Sequence, residues 1–279
     1  MDIALLLATG SAITIGWADF VGGLAARRMS AIAFTASAQT INLALLALMA
    51  SVGGAASVTG RDLLFGAAAG ISGSLAFGIF LMAMARGPMS IVSPVTAVIG
   101  ATSGAAIGMI LGDRPSGFAL LGSMLGVVAI ALVASEGRGS RTVRLSTLAL
   151  AVAAGFGFGA FVVFLDFPSP AAGLWPLVGA RGAGIGALIL LAASRGEVRL
   201  PPARLAPYAI AVGGFETVAI VSLHAALQEG SLAMVAVVSS LYPVTTLLLA
   251  RLALNERLVA HQKAGVALAL AAVVMIAGG

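Results

Sequence analysis

The 279-residue sequence contains no cysteine and few charges, since only 9% of its residues are charged and Lys263 is its single lysine. The absence of cysteine excludes disulfides, thiolate metal sites and thiol catalysis. A soluble domain usually has about a quarter of its residues charged. Because 60% of this chain is hydrophobic, its few charges are too sparse to cover the surface of a soluble globule.

Long apolar runs are present instead. About 20 apolar residues cross a hydrocarbon core about 30 Å thick. We therefore expect an all-α membrane protein embedded in the lipid bilayer, with very short loops. The runs predict ten transmembrane helices, at residues 3–24, 30–52, 62–85, 89–111, 117–135, 146–165, 171–194, 205–227, 231–252 and 259–278.

The distribution of cations predicts the orientation, because basic residues collect in cytoplasmic loops. If the first loop is cytoplasmic, the opposite side receives only Arg61 and Arg114. Both termini are then periplasmic in a bacterial inner (plasma) membrane. Topology explains the net charge of +5, so no nucleic-acid partner is expected. The cytoplasmic side receives Arg27, Arg28, Arg86, Arg138, Arg141, Arg144, Arg195, Arg199, Arg204, Arg257 and Lys263.

An internal repeat appears when the chain is shifted by 143 residues. The shift places Arg61 on Arg204, Gly70 on Gly213, Asp113 on Glu256, Arg114 on Arg257 and Gly122 on Gly265. Each copy contains five of the ten predicted helices. Because five is an odd number, the second copy enters the membrane in the opposite orientation, as in many secondary transporters. We predict a first repeat at 1–136, a basic cytoplasmic linker at 137–145 and an inverted second repeat at 146–279.

The ninth predicted helix carries a family motif. Pro243 is followed thirteen residues later by Glu256 and Arg257, within the stretch GSLAMVAVVSSLYPVTTLLLARLALNERL. With the five-plus-five arrangement, this motif resembles the drug/metabolite transporter superfamily, EamA type.

The first repeat departs from the motif, because Gly100 stands at the proline position, Asp113 replaces the glutamate and Pro94 lies six residues earlier. The resemblance covers essentially the whole chain. It implies a ten-helix exporter of amino acids, including aromatic or other apolar ones, or of similar amphipathic metabolites.

Arg181 and Glu216 are ionisable residues near the middle of predicted helices seven and eight. At that depth such groups usually face the bundle interior or water. One interpretation is a structural ion pair. Another places Arg181 on a wet cavity, where its planar guanidinium holds a substrate carboxylate, and Glu216 binds an ammonium group or carries a coupling proton. If the seventh helix begins after Pro176, Arg181 instead extends outward to water.

Three further polar residues are candidates. Gln39 and Asn42 share one face of the second helix; the alternatives are hydrogen bonding between helices and direct contact with substrate. Asp19 is a second candidate for proton coupling, and solvation near the membrane interface is its alternative.

Aromatic and proline residues complete the predicted site. Trp17, Phe77 and Tyr242 are candidates for the apolar wall around a substrate, although tryptophan and tyrosine also anchor helix ends at membrane interfaces. Pro94 and Pro243 interrupt predicted helices four and nine, where a proline bends a helix. These two helices are the candidate moving elements.

Enzyme signatures such as GxSxG, HExxH and GxxxxGK are absent, and we expect no cofactor or metal. The predicted function is secondary transport of a small molecule by alternating access, by a monomer or a dimer. Two alternatives remain. One is a multidrug or organic-cation exporter of the same fold, and the other is a membrane enzyme or a subunit without transport activity.

Overall fold

A computed structural model describes residues 3–111, 116–134, 143–197, 201–229, 238, 241–256 and 258–277. The described helices are α1 (Ile3–Ala26), α2 (Ala31–Gly53), α3 (Gly60–Arg86), α4 (Met89–Leu111), α5 (Gly117–Ala134), α6 (Leu145–Asp166), α7 (Trp175–Ser194), α8 (Ala206–Glu229), α9 (Tyr242–Leu254) and α10 (Ala260–Ala277). Seven of them, α1–α4 and α6–α8, are long and apolar enough to cross a membrane.

Among the predicted helix starts that fall on described residues, one differs from the structure by more than two residues. The predicted start of the seventh helix at residue 171 is wrong, because Pro170–Ala172 is a 3-10 turn and α7 begins at Trp175. Pro176 lies in the first turn of α7, where a missing N–H costs nothing, so it starts the helix rather than interrupting it. The predicted start of the ninth helix at residue 231 lies outside the described residues.

One end of the bundle is organised by Asp62. Its carboxylate accepts hydrogen bonds from the backbone N–H of Thr59 at 2.8 Å and of Ser169 at 2.7 Å. The Thr59 side chain in turn accepts from the Asp62 N–H, which completes a capping box at the start of α3. Phe65 and Phe167 stack beside it, with ring centroids 4.4 Å apart. This side of the bundle, where α3 and α7 begin, is called the Asp62 end.

Basic residues collect at the other end, where α1 and α3 end and α4 begins. Arg28 donates to the Tyr208 hydroxyl of α8 at 3.3 Å. Ser30 donates to Glu197, which follows α7, at 2.5 Å. Because these contacts join both halves of the chain, the C-terminus of α7 and the N-terminus of α8 lie beside the loop between α1 and α2. This side is called the basic end.

The packing of helices repeats between the two halves. α1 packs against α8 as α6 packs against α3, and α2 packs against α8 as α7 packs against α3. The contact of α1 with α9 likewise corresponds to that of α6 with α4. α2 also packs against α7, and α5 packs against α10; in each of these two contacts the partners are equivalent helices of the two halves. Exchanging the two halves therefore maps these pairs of neighbouring helices onto one another.

Two equivalent glycines show how closely the halves approach. A Cβ atom on Gly70 of α3 would collide with the carbonyl oxygen of Ala180 in α7. A Cβ atom on Gly213 of α8 would lie 2.5 Å from the carbonyl oxygen of Ala38 in α2. Only a residue without a side chain fits either crossing, and small residues of this kind let membrane helices pack backbone to backbone.

Candidate functional site

Arg181 and Glu216 form an ion pair between α7 and α8. The Arg181 Nη2 atom lies 3.8 Å from Glu216 Oε2, and the two side chains are only 14% and 13% exposed. Glu216 Oε2 is buried and has no hydrogen-bond partner among the described residues. The structural ion pair, one of the interpretations left open by the sequence, is therefore present, but its geometry leaves carboxylate acceptor capacity and guanidinium donors available to a third group.

The ion pair lies deep in the bundle although Arg181 is only the seventh residue of α7. Its neighbour Ala180 crosses Gly70, which is the eleventh residue of the 27-residue helix α3. At 1.5 Å per residue this crossing is about 15 Å from the start of α3. Arg181 is therefore near the middle of α3 in depth and pairs with Glu216, which opposes the interpretation that it extends outward to water.

Asp19 is buried on α1 at the crossing with α9. It is 5% exposed, and the Thr246 hydroxyl lies 3.5 Å from its Oδ2 atom and 3.4 Å from the carbonyl oxygen of Gly16. Its carboxylate is also close enough to Glu216 for the two charges to interact. This burial opposes solvation at the membrane interface, and it places two carboxyl groups in one region of the bundle.

Gln39 and Asn42 are both fully buried and bond to neighbouring helices. Gln39 Oε1 accepts from the Ser74 hydroxyl of α3 at 2.6 Å, and Asn42 Nδ2 donates to the Thr217 hydroxyl of α8 at 2.7 Å. Among the described residues, Gln39 Nε2 and Asn42 Oδ1 have no hydrogen-bond partner. Each amide thus joins two helices with one end and offers a buried polar atom with the other.

The two hydroxyl partners of these amides were missed in the sequence. Ser74 and Thr217 are 143 residues apart, so they occupy equivalent positions in the two repeats. A lone serine or threonine in an apolar helix carries no pattern of its own. The repeat offset is the signal that would have found them, because it places a hydroxyl at the same depth in α3 and α8.

The three aromatic candidates have separate surroundings. Trp17 is 40% exposed and lies beside Phe215, with ring centroids 6.0 Å apart. Phe77 is buried in the core near Phe80. Tyr242 packs against the apolar cluster that α4, α5 and α10 form. The described contacts do not join these three residues into one wall. Of the three, Trp17 is the one linked to the ion pair, because its neighbour Phe215 directly precedes Glu216 in the sequence.

The two prolines differ in position. Pro94 lies inside α4, so it removes the hydrogen bond to the carbonyl of Ser90. Pro243 lies in the first turn of the described helix α9, with Leu241 as the N-cap residue. Pro94 is therefore within a helix as predicted, whereas the part of the predicted ninth helix before Pro243 lies mostly outside the described residues.

No group of three or more residues suited to hold a metal ion occurs in the described part of the chain. Apolar helices packed as two equivalent halves, with buried charges between them, define a polytopic helical membrane protein. The model of the EamA-like transporter family matches residues 2–135 and 145–278. The chain belongs to this family, and it is a multi-pass membrane transporter built from two EamA repeats.

Solved structures support the same fold. One, titled "Crystal structure of protein", is 15% identical, with a TM-score of 0.63 over 98% of this chain and 95% of that one. At this identity the likeness concerns the fold alone. No curated protein matches the chain.

Proposed function

We propose that this protein is a secondary transporter that exports amino acids, aromatic and other apolar ones among them, and similar amphipathic metabolites. The observation that carries the proposal is the buried ion pair of Arg181 and Glu216, on two helices of the second repeat that pack against the first repeat, with Asp19 of the first repeat close by. Charged groups are expensive at this depth and are typical of substrate or proton pathways. An amino acid carries both charges needed to interact with them.

The two repeats are inverted in the membrane in this proposal. Each contains an odd number of helices, and the contacts of Arg28 with Tyr208 and of Ser30 with Glu197 support the inversion, since they place the end of α1 beside the start of α8. In such proteins the substrate lies near the bilayer midplane at the repeat interface. Relative tilting of the two repeats then exposes the site to one face and afterwards to the other, with α4 and α9 as candidate moving elements near Pro94 and Pro243.

Arg181 is the proposed carboxylate-binding residue. Its guanidinium presents several donors in a fixed plane, and its distance of 3.8 Å from Glu216 is too long for a full hydrogen bond. A substrate carboxylate can therefore replace Glu216 as the partner of Arg181. Gln39 and Asn42 would donate to and accept from the polar part of the substrate through their unpartnered atoms.

The charge balance of the site calls for one additional positive charge. Asp19 and Glu216 are two carboxyl groups, whereas Arg181 is the only cation in the middle of any predicted helix. With all three ionised the cluster would carry one net negative charge in a medium of low dielectric, which is costly. A zwitterionic substrate adds one ammonium and one carboxylate and leaves this total unchanged, so a coupling proton on Asp19 or Glu216 supplies the missing positive charge.

The apolar part of the substrate would contact aromatic residues. Trp17 is the best placed of the three candidates, because it is 40% exposed and lies against Phe215, next to Glu216. Phe77 and Tyr242 would contribute after a rearrangement, since both are packed in apolar clusters. The cargo would cross a bacterial plasma membrane, with both termini periplasmic and the basic end cytoplasmic, and one chain would suffice.

A second candidate function is export of organic cations. The excess of carboxyl groups over cations at the site favours it, because a cation would be attracted to Asp19 and Glu216. Arg181 opposes it, because a guanidinium repels a cationic cargo. Competition between an aromatic amino acid and a quaternary ammonium compound for the same transport activity distinguishes the two functions.

Transport by purified protein in proteoliposomes tests the proposal. A panel of labelled amino acids, amphipathic metabolites and organic cations is assayed for uptake and efflux, with and without a pH gradient. We expect saturable flux and counterflow with zwitterionic amino acids. Flux of none of these solutes, or flux that never saturates, would contradict the proposed carrier.

A further inference from the structure

Glu256 forms a buried junction between three helices at the basic end. It follows α9, is 5% exposed, and accepts from the backbone N–H groups of Met89 at 3.1 Å and of Ser90 at 3.0 Å. The Ser90 hydroxyl also donates to it at 2.7 Å. Arg27, which follows α1, lies 3.6 Å from its other carboxylate oxygen, Oε1. One side chain therefore connects the C-terminal end of α1 and the N-terminal first turn of α4 to the C-terminal end of α9.

The first turn of α4 depends on this carboxylate. The first four N–H groups of a helix have no partner within it. In α4 the groups of Met89 and Ser90 donate to Glu256, and those of Ile91 and Val92 donate to the carbonyl of Pro88. The negative charge also interacts favourably with the positive end of the helix dipole. Removing Glu256 would leave two backbone donors and Arg27 without an anionic partner.

The backbone conformation at the end of α9 directs the Glu256 side chain toward the start of α4. Asn255 has φ 51, in the left-handed region, and donates its N–H to the carbonyl of Ala250. Asparagine adopts this conformation more readily than most residues. The chain therefore turns sharply after α9, and Glu256 returns toward the α4 terminus instead of continuing along the helix axis.

The helices that meet at this junction also share an apolar cluster, which includes Met89 of the α4 first turn. The residues of this cluster that lie on α1, α3, α4 and α9 have almost no exposed surface. They include Ala25 of α1, Leu81 and Met84 of α3, Met89 and Val92 of α4, and Ala250 of α9. In contrast, Arg27 is 33% exposed at the surface side of the junction. The junction thus connects a partly exposed guanidinium with helices that contribute buried residues to the apolar cluster.

We propose that Glu256, Arg27 and the first turn of α4 form a clasp that keeps the basic end closed and that opens once in each transport cycle. The inference rests on the proposed alternating access and adds the contact that controls it. Glu256 and α9 belong to the second repeat, whereas Arg27 and α4 belong to the first. Opening separates the two repeats at this end, and the freed carboxylate, guanidinium and N–H groups then bind water.

Accessibility of a single cysteine tests the clasp independently of transport. The chain has no cysteine, so Ser93→Cys introduces the only thiol, three residues after Ser90 and fully buried. A membrane-impermeant maleimide is applied to the basic end in vesicles of known orientation. Ser194→Cys, exposed at the end of α7, reports full access to that face.

Glu256→Gln is the main variant, because it removes the charge and places an amide donor against backbone donors. We expect the labelling rate at residue 93 to rise at least about tenfold. Arg27→Gln leaves the α4 cap intact and is expected to raise the rate by a smaller factor. Glu197→Gln is the matched control, since this carboxylate bonds Ser30 at the same end without touching α4, and the rate is expected to stay unchanged.

The outcomes separate the clasp from the proposed function. Unchanged labelling in both Glu256→Gln and Arg27→Gln would overturn the clasp, whether or not the protein transports amino acids. If Glu256→Gln does not fold, as judged by size-exclusion chromatography, Arg27→Gln alone decides. In a separate experiment, a transported amino acid is added to the Ser93→Cys protein that carries no clasp substitution. A change in its labelling rate would support alternating access itself.

Discussion

The guanidinium of Arg181 and the carboxylate of Glu216 lie 3.8 Å apart, between helices that belong to the same repeat but lie next to the other one. α7 packs on α3, and α8 packs on α1 and α2. The ion pair therefore lies where a movement of one repeat relative to the other changes its surroundings. This position connects the stability of the bundle with the chemistry of the proposed site.

Removing one partner of the pair is expected to destabilise the protein more than removing both. Arg181→Ala leaves a buried carboxylate without its cation, and loss of one partner from a buried pair costs about 3–5 kcal/mol. The double variant Arg181→Ala with Glu216→Ala removes both charges. Thermal unfolding in detergent should show a large decrease of Tm for each single variant and partial recovery in the double variant. Equal, additive decreases would contradict a direct interaction.

Asp19→Asn is expected to weaken the dependence of transport on a pH gradient. Asparagine keeps the size and one acceptor oxygen of the side chain but removes the negative charge that interacts with Glu216. The comparison is the ratio of flux with and without a proton gradient in proteoliposomes. Thr246→Val, which removes only the hydroxyl neighbour of Asp19, should keep the ratio. A wild-type ratio in Asp19→Asn would exclude this residue from coupling.

The equivalent crossings at Gly70 and Gly213 predict two matched destabilising substitutions. Alanine at either position places a Cβ atom against a backbone carbonyl of the neighbouring helix, and overpacking of this kind costs about 1–3 kcal/mol. Gly182→Ala in α7 is the control, because a Cβ atom added there would have no neighbouring atom within 4 Å. Tm should fall for Gly70→Ala and Gly213→Ala and stay within about a degree or rise for Gly182→Ala, since alanine favours helix.

Asp62→Ala is expected to affect stability without affecting the site. The carboxylate caps α3 and accepts the N–H of Ser169 from the loop before α7. Loss of a helix cap costs about 0.5–2 kcal/mol, so Tm should decrease. The substrate concentration at half-maximal transport should stay at the wild-type value, because Asp62 lies at the bundle end. A specific change in substrate affinity at unchanged Tm would contradict this assignment.

Sequence reasoning placed most of the described helices, because hydrophobic run length and basic loops are strong signals in a membrane protein. Counting residues along the predicted helices placed Arg181 and Glu216 at a similar depth, but it left open whether they pair with each other, as they do in the structure. The start of α7 was misplaced since an apolar run continues through the turn at Pro170–Ala172. Apolarity alone does not distinguish a 3-10 turn from a helix.

Contacts between distant segments could not be predicted in the same way. Glu256 was noticed only as a repeat and family marker, and its hydrogen bonds to Met89 and Ser90 depend on how α9 and α4 meet. Phe77 and Trp17 have similar sequence surroundings, yet one is buried and the other is 40% exposed. Which face of an apolar helix contacts protein rather than lipid is set by tertiary packing, and a uniformly apolar sequence does not encode it locally.

The most direct test of a substrate site at the ion pair is counterflow by the double variant Arg181→Gln with Glu216→Gln. The two amides can hydrogen-bond each other, so the bundle should remain folded, with a monodisperse profile and a cooperative thermal transition. We predict that counterflow of a zwitterionic amino acid, saturable in the wild-type protein, is lost in this variant. Counterflow at the wild-type rate and with the wild-type half-saturation concentration would contradict the account.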